Sequence, residues 1–160
     1  MEAHAERVYP EECCGLIVGE IKSKSEIKSA DTELLKVAVR VVSLENEWAP
    51  DVVEANRPEH TTKRRRYWID PKDMLRVQKE ARDEGLNIIG IYHSHPDHPA
   101  VPSECDRAGA WPQYAYVIVS ACDGKAVDIR NWALDSERQF QTEAIRVSPS
   151  SARDRMPVSA

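Results

Sequence analysis

Apolar and polar positions alternate in a way that divides the chain into strand-like runs separated by polar stretches, with one well-marked amphipathic helix. Residues 14–21 (CGLIVGEI) and 37–44 (VAVRVVSL) are rich in β-branched side chains and predict two strands, separated by the polar run 22–32. A short helical stretch over residues 3–8 precedes Pro10. Residues 45–66 are polar and contain Pro50 and Pro58, so a long exposed loop is expected there. The clearest helix follows: Asp70 can cap it, Pro71 suits its first turn, Asp73 holds the capping-box position and Gly85 can close its end. Met74, Val77 and Ala81 then share one face, a spacing that belongs to core packing. Residues 87–92 (NIIGIY) predict a short strand that runs straight into His93-Ser94-His95-Pro96. After a proline-rich loop, Ser103 can cap a short helix ending near Gly109; residues 114–121 and 127–133 predict strands about a turn at Asp123-Gly124. The pattern gives one domain over residues 1–146 and a disordered tail, rich in Ser, Pro and Arg, over 147–160.

Composition narrows the class. With 41% hydrophobic and 31% charged residues in 160, the chain is long enough for a single core and is neither a fibrous nor a wholly disordered sequence. The 27 acidic side chains outnumber the 22 basic ones, which argues against a nucleic-acid partner held over the whole surface. No apolar run approaches the roughly 20 residues that span a membrane, and residues 1–7 are charged where a signal peptide is apolar; a cytoplasmic protein without membrane association is expected. Cys13 and Cys14 are adjacent, while Cys105 and Cys122 stand apart without a C-x-x-C pair. Cys14 and Cys122 adjoin apolar runs and are read as small buried thiols; none of the four is assigned chemistry, and they form neither a disulfide framework nor a zinc knuckle.

His93 and His95 carry the first sign of chemistry. Two residues apart on an extended strand, their rings project from one face and can converge on one ion. Asp106, eleven positions after His95, can return to them on the short helix that follows the proline-rich loop. Two imidazoles and a carboxylate leave the fourth tetrahedral position open, the ligand count of a catalytic zinc site. Each fragment also has a plainer explanation. Ser103 and Asp106 can simply cap the helix, and the histidines can be polar residues at a strand end. Capping and catalysis are compatible, because a cap fixes the same rotamers.

The run His93-Ser94-His95-Pro96 through Ser103-Glu104-Cys105-Asp106 resembles the H-x-H-P-x(6)-S-x(2)-D signature of the JAMM metalloproteases, the MPN-plus or Mov34 family. Upstream, Pro10-Glu11-Glu12-Cys13-Cys14-Gly15 resembles the P-x-E-x-C-G segment of its compact prokaryotic members. The resemblance implies an α+β domain with a curved mixed β-sheet flanked by helices. It implies one Zn2+ held by His93, His95 and Asp106, with Glu12 as general acid/base and Ser103 as a hydrogen-bond donor to the oxyanion. Glu11 competes with Glu12, but only Glu12 stands two residues before Cys14-Gly15.

The activity so implied is hydrolysis of a peptide or isopeptide bond after the Gly-Gly end of a ubiquitin-like or β-grasp sulfur-carrier protein. A metal-free MPN-type scaffold would be expected to lack the ligands, and a zinc deaminase would need cysteine ligands in a P-C-x-x-C arrangement that is absent. Lys63, Arg64, Arg65 and Arg66 could meet an acidic carrier face or form a solvated loop. Tyr67 and Trp68 are expected in a strand on the core, His98 in a loop at the mouth of the site, and His4 and His60 in solvent. Only nine residues precede Pro10, where family members begin with a strand and a longer helix; a homodimer could cover the sheet edge left open.

Overall fold

Apolar side chains on both faces of one sheet organise the molecule, which is described by a computed structural model over residues 1–23, 34–49 and 62–147. The helix α1 (Glu2–Val8) leads into β1 (Cys14–Ser23) and β2 (Leu34–Leu44); α2 (Pro71–Asp83), β3 (Asn87–Pro96), α3 (Glu104–Gly109), β4 (Ala115–Cys122), β5 (Lys125–Leu134) and β6 (Phe140–Glu143) follow. The strands form a six-stranded sheet in the order β2-β1-β3-β4-β5-β6. β3 and β4 are parallel and the other neighbouring pairs antiparallel, so the sheet is mixed and the domain α+β, as expected.

Strand alternation sends the core to both faces. Leu16 and Val18 of β1 join Ile91 and Tyr116 beneath Val77 and Ala81 of α2. Ile17, Tyr92, Val117 and Val119 pack on the other face with Ala5 of α1. Pairing of β1 with β3 skips Ile89, a bulge that lets Ile88 and Ile91 share the α2 face although three residues apart. Asp70 caps α2 by accepting from the Lys72 amide at 2.7 Å, and Gly85 takes φ +72 just past its end. Asp73 instead accepts from Arg76 at 2.8 Å, a surface ion pair in place of a capping box. Asp123 and Gly124 both adopt positive φ, the geometry of a type I′ hairpin.

Gly15 shows why one motif position tolerates no side chain. A Cβ there would meet the Val42 carbonyl oxygen and the Tyr92 ring, with Tyr92 Cζ only 2.7 Å away. Gly15→Ala is therefore expected to cost about 1–3 kcal/mol, the usual cost of overpacking, measured as a lowered denaturant midpoint. An unchanged midpoint would mean that both the Tyr92 ring and the Val42 carbonyl give way freely.

Several boundaries differ from expectation. β2 begins three residues before Val37, and β3 continues through Pro96 because parallel pairing of residues 90–96 with 115–121 carries the ladder past Tyr92. The histidines consequently lie inside the strand rather than beyond it. β6 was not expected; it pairs along the outer edge of β5, and Phe140 meets Tyr116 edge-to-face at 5.4 Å. Residues 45–49 and 62–66 are not a wholly exposed loop, since Asn46 and Trp48 are 5% and 8% exposed. Tyr67 and Trp68 lie outside any strand. His4 is buried, contrary to expectation, with its Nδ1 2.8 Å from the Tyr92 hydroxyl. Residues 148–160 of the tail, and His60, fall outside the described residues.

Candidate metal centre

Strand geometry brings the two histidines together first. His93 and His95 point to the same face of β3, are 0% and 9% exposed, and place their Nε2 atoms 3.1 Å apart. The crossover between parallel strands β3 and β4 carries α3 back over the carboxyl end of β3, where open sheets commonly build their sites. Asp106 on α3 then lies with Oδ1 3.3 Å from His93 Nε2 and Oδ2 3.6 Å from His95 Nε2. One ligand atom from each residue falls within 4.8 Å of the others.

The cap predicted at Ser103 forms as well. Its amide and hydroxyl each donate to Asp106 Oδ2 at 2.6 Å, and its oxygen accepts from the Asp106 amide at 3.2 Å. This capping box fixes the aspartate rotamer that faces the histidines.

The donor chemistry fits a cation. His95 Nδ1 lies 2.9 Å from the Pro99 carbonyl oxygen, which can only accept, so Nδ1 carries the proton and neutral His95 presents an Nε2 lone pair. Burial raises the Asp106 carboxyl, but the neighbouring His93 and His95 rings, together with the hydrogen bond from Ser103, outweigh it and hold the group well below the usual carboxylate range. Burial lowers the His95 pKa, but Asp106, the Pro99 carbonyl and the charge of Glu12 together more than reverse this, and the ring gains affinity for a proton. His93, wholly buried, is shifted down by desolvation. Electron-rich atoms thus face a common point that calls for a proton or a metal ion between them. His93 Nδ1 has no hydrogen-bond partner among the described residues, and its ring is instead oriented by stacking on Tyr67, with centroids 4.6 Å apart and planes at 24°.

Antiparallel register brings in the glutamate. Cys14 pairs with His93, and the Cys13 amide donates to Ser94 Oγ at 2.8 Å while the Ser94 amide donates to the Cys13 carbonyl at 3.1 Å. One residue further back, Glu12 is carried towards His95 and is 6% exposed. Burial pushes its carboxyl up to about 8; the charge of His95 opposes that shift and Asp106 adds to it. Glu11 is exposed on the surface.

Comparison with known proteins places this architecture. The family model described as prokaryotic homologs of the JAB domain matches residues 1–135. The chain belongs to this family. The JAB-domain chain is 36% identical to a desampylase from Haloferax volcanii over 75 residues, 46% of this chain and 52% of that protein. It is 27% identical to a CysO-cysteine peptidase from Mycobacterium tuberculosis over 137 residues, 84% of this chain and 75% of that one. The solution structure of a Salinibacter ruber protein superposes with a TM-score of 0.62 at 31% identity, covering 99% of this chain and 90% of that one. The chain spans about half the length of the desampylases it matches.

Within this JAB domain, the sequence missed Tyr67, whose ring contacts His93 from a stretch with no regular structure. A tyrosine after four basic residues carries no periodic signal, so nothing short of tertiary structure could have marked it. His98 is exposed in the loop after β3, as expected, and its carbonyl accepts from Ser120 Oγ at 2.7 Å. Of the basic cluster, Arg64 pairs with Asp97 at 3.4 Å. Among the described residues, no helix is long and apolar enough to cross a membrane.

Proposed function

We propose that this chain is a zinc-dependent peptidase that hydrolyses the peptide or isopeptide bond following the Gly-Gly end of a ubiquitin-like or sulfur-carrier protein. The observation that carries the reading is the convergence of His93, His95 and Asp106 within 4.8 Å, beside a buried Glu12. A zinc ion held by these three would act as a Lewis acid and lower the pKa of bound water towards 7. Glu12, buried beside the proposed ligands, would accept a proton from that water and return it to a leaving amine. Ser103 has one hydroxyl hydrogen, now given to Asp106. To serve an oxyanion it must rotate away, while the Ser103 amide keeps its own bond to the carboxylate.

The substrate class is supported by the relatives' names, a desampylase and a CysO-cysteine peptidase. A carrier's extended C-terminal tail suits such a site, since strand-like peptides dock readily along sheets. All four cysteines are free, which suits a reducing compartment such as the cytoplasm. The test incubates zinc-loaded protein with a β-grasp carrier extended past Gly-Gly by a short peptide. Mass spectrometry is expected to find a new Gly-Gly terminus. Unaltered carrier mass, with zinc confirmed in the protein, would overturn the proposal.

A further inference from the structure

Asn46 lies 34 residues after Glu12 and 47 before His93, yet it is 5% exposed and its amide is fully used. Its Nδ2 donates to the Glu12 carbonyl at 3.0 Å and to the Arg66 carbonyl at 2.9 Å. Its Oδ1 accepts from the Trp48 amide at 3.0 Å and the Trp68 amide at 3.1 Å. Two donors meet two carbonyls and one oxygen meets two N–H groups, so a flipped amide would turn all four contacts repulsive and the orientation is fixed. Two of the four partners, Arg66 and Trp68, flank Tyr67, whose ring stacks on His93. A third is the main chain of Glu12, whose own amide donates to the Lys63 carbonyl at 2.7 Å.

We infer that Asn46 is the positioning residue of the site: one buried amide ties the Glu12 main chain to the segment that presents Tyr67 to His93. It touches neither substrate nor metal and acts through those two neighbours. No other residue type offers two donors and a doubly accepting oxygen at that length, and aspartate would turn acceptors towards two carbonyls and bury a charge beside Glu12. The inference rests on the proposed role of Glu12, and its test separates the two.

Asn46→Ala is expected to lower kcat on the extended carrier about ten- to a hundredfold, the usual effect of removing a residue that orients a site, with KM within about threefold. In a Glu12→Ala background, with zinc saturating, the same substitution should cost less than about threefold, because the group being oriented is gone and the Tyr67 arm acts on zinc affinity alone. An equal loss in both backgrounds would overturn the inference, since general destabilisation acts alike in each. Zinc affinity, measured against a chelating dye, should fall about tenfold as the ring beneath His93 loosens; unchanged affinity would count against the Tyr67 arm. Independently of variant folding and of turnover, native-state hydrogen exchange of the intact protein should find the Glu12, Trp48 and Trp68 amides opening as one unit. Separate opening would overturn the inference. Near-normal turnover by Glu12→Ala alone would strike the proposed role of Glu12, and the exchange result would still decide the case of Asn46.

Discussion

Glu12→Gln is expected to keep one zinc ion per chain and to lose at least about a hundredfold in turnover of an extended carrier, the span associated with loss of a general acid/base. Glutamine preserves the size of the side chain and its fit into a position that is 6% exposed, so the sheet, the Cys13–Ser94 bonds and the ligand group should persist. What it removes is a group able to take up and release a proton. Zinc per chain by elemental analysis and turnover by mass spectrometry separate binding from chemistry. Near-normal turnover with full zinc would transfer the role elsewhere.

The same variant carries a pH signature in the metal-free protein. The Glu12 pKa is raised, from 4.5 to about 8, so between those values the folded state holds a proton that the unfolded state has released. Stability then falls as pH rises through this window. Because glutamine does not titrate, the melting temperature of Glu12→Gln relative to the parent should climb between about pH 4.5 and 8 and level off above. A difference independent of pH across that window would contradict the buried, protonated carboxyl.

What could be read from the sequence was local. Asp70, Pro71 and Gly85 mark α2 because caps and turn glycines act within a few residues, and His93 and His95 share a face because alternation is a property of one strand. Asp106 was reachable because the cap that holds it spans only three residues. Long-range partners were not legible. His4 is buried against Tyr92, a residue 88 positions later; Tyr67 reaches His93 from irregular backbone; β6 offers four residues with a single large apolar side chain. Asn46 is one asparagine in a polar run, and only the folded chain shows four backbone groups arriving at its amide. The motif spacing therefore located the proposed ligands, while the residues that hold them in place emerged from the tertiary structure.

Removing a proposed ligand should have the largest effect, and Asp106 allows ligation to be separated from folding. His95→Ala deletes one ring that faces the common point and should abolish stoichiometric zinc and lower turnover by about a thousandfold or more, since Lewis acidity and water activation would go together. Asp106→Ala deletes a ligand and also the acceptor for the Ser103 amide and hydroxyl, both at 2.6 Å. It should lose zinc and, in addition, about 1 kcal/mol of stability from the broken cap. Asp106→Asn keeps an oxygen that can accept from the Ser103 amide but lacks the charge that holds a cation. It should therefore lose zinc with little change in the denaturant midpoint. The midpoints must be compared in excess chelator, because bound metal alone stabilises the parent by RT ln(1 + [L]/Kd) and would mask the cap. Under those conditions Asp106→Ala should lie below the parent while Asp106→Asn lies near it. Full zinc in Asp106→Asn would show that the carboxylate serves the helix alone, and the proposed metal site would then lack its third ligand.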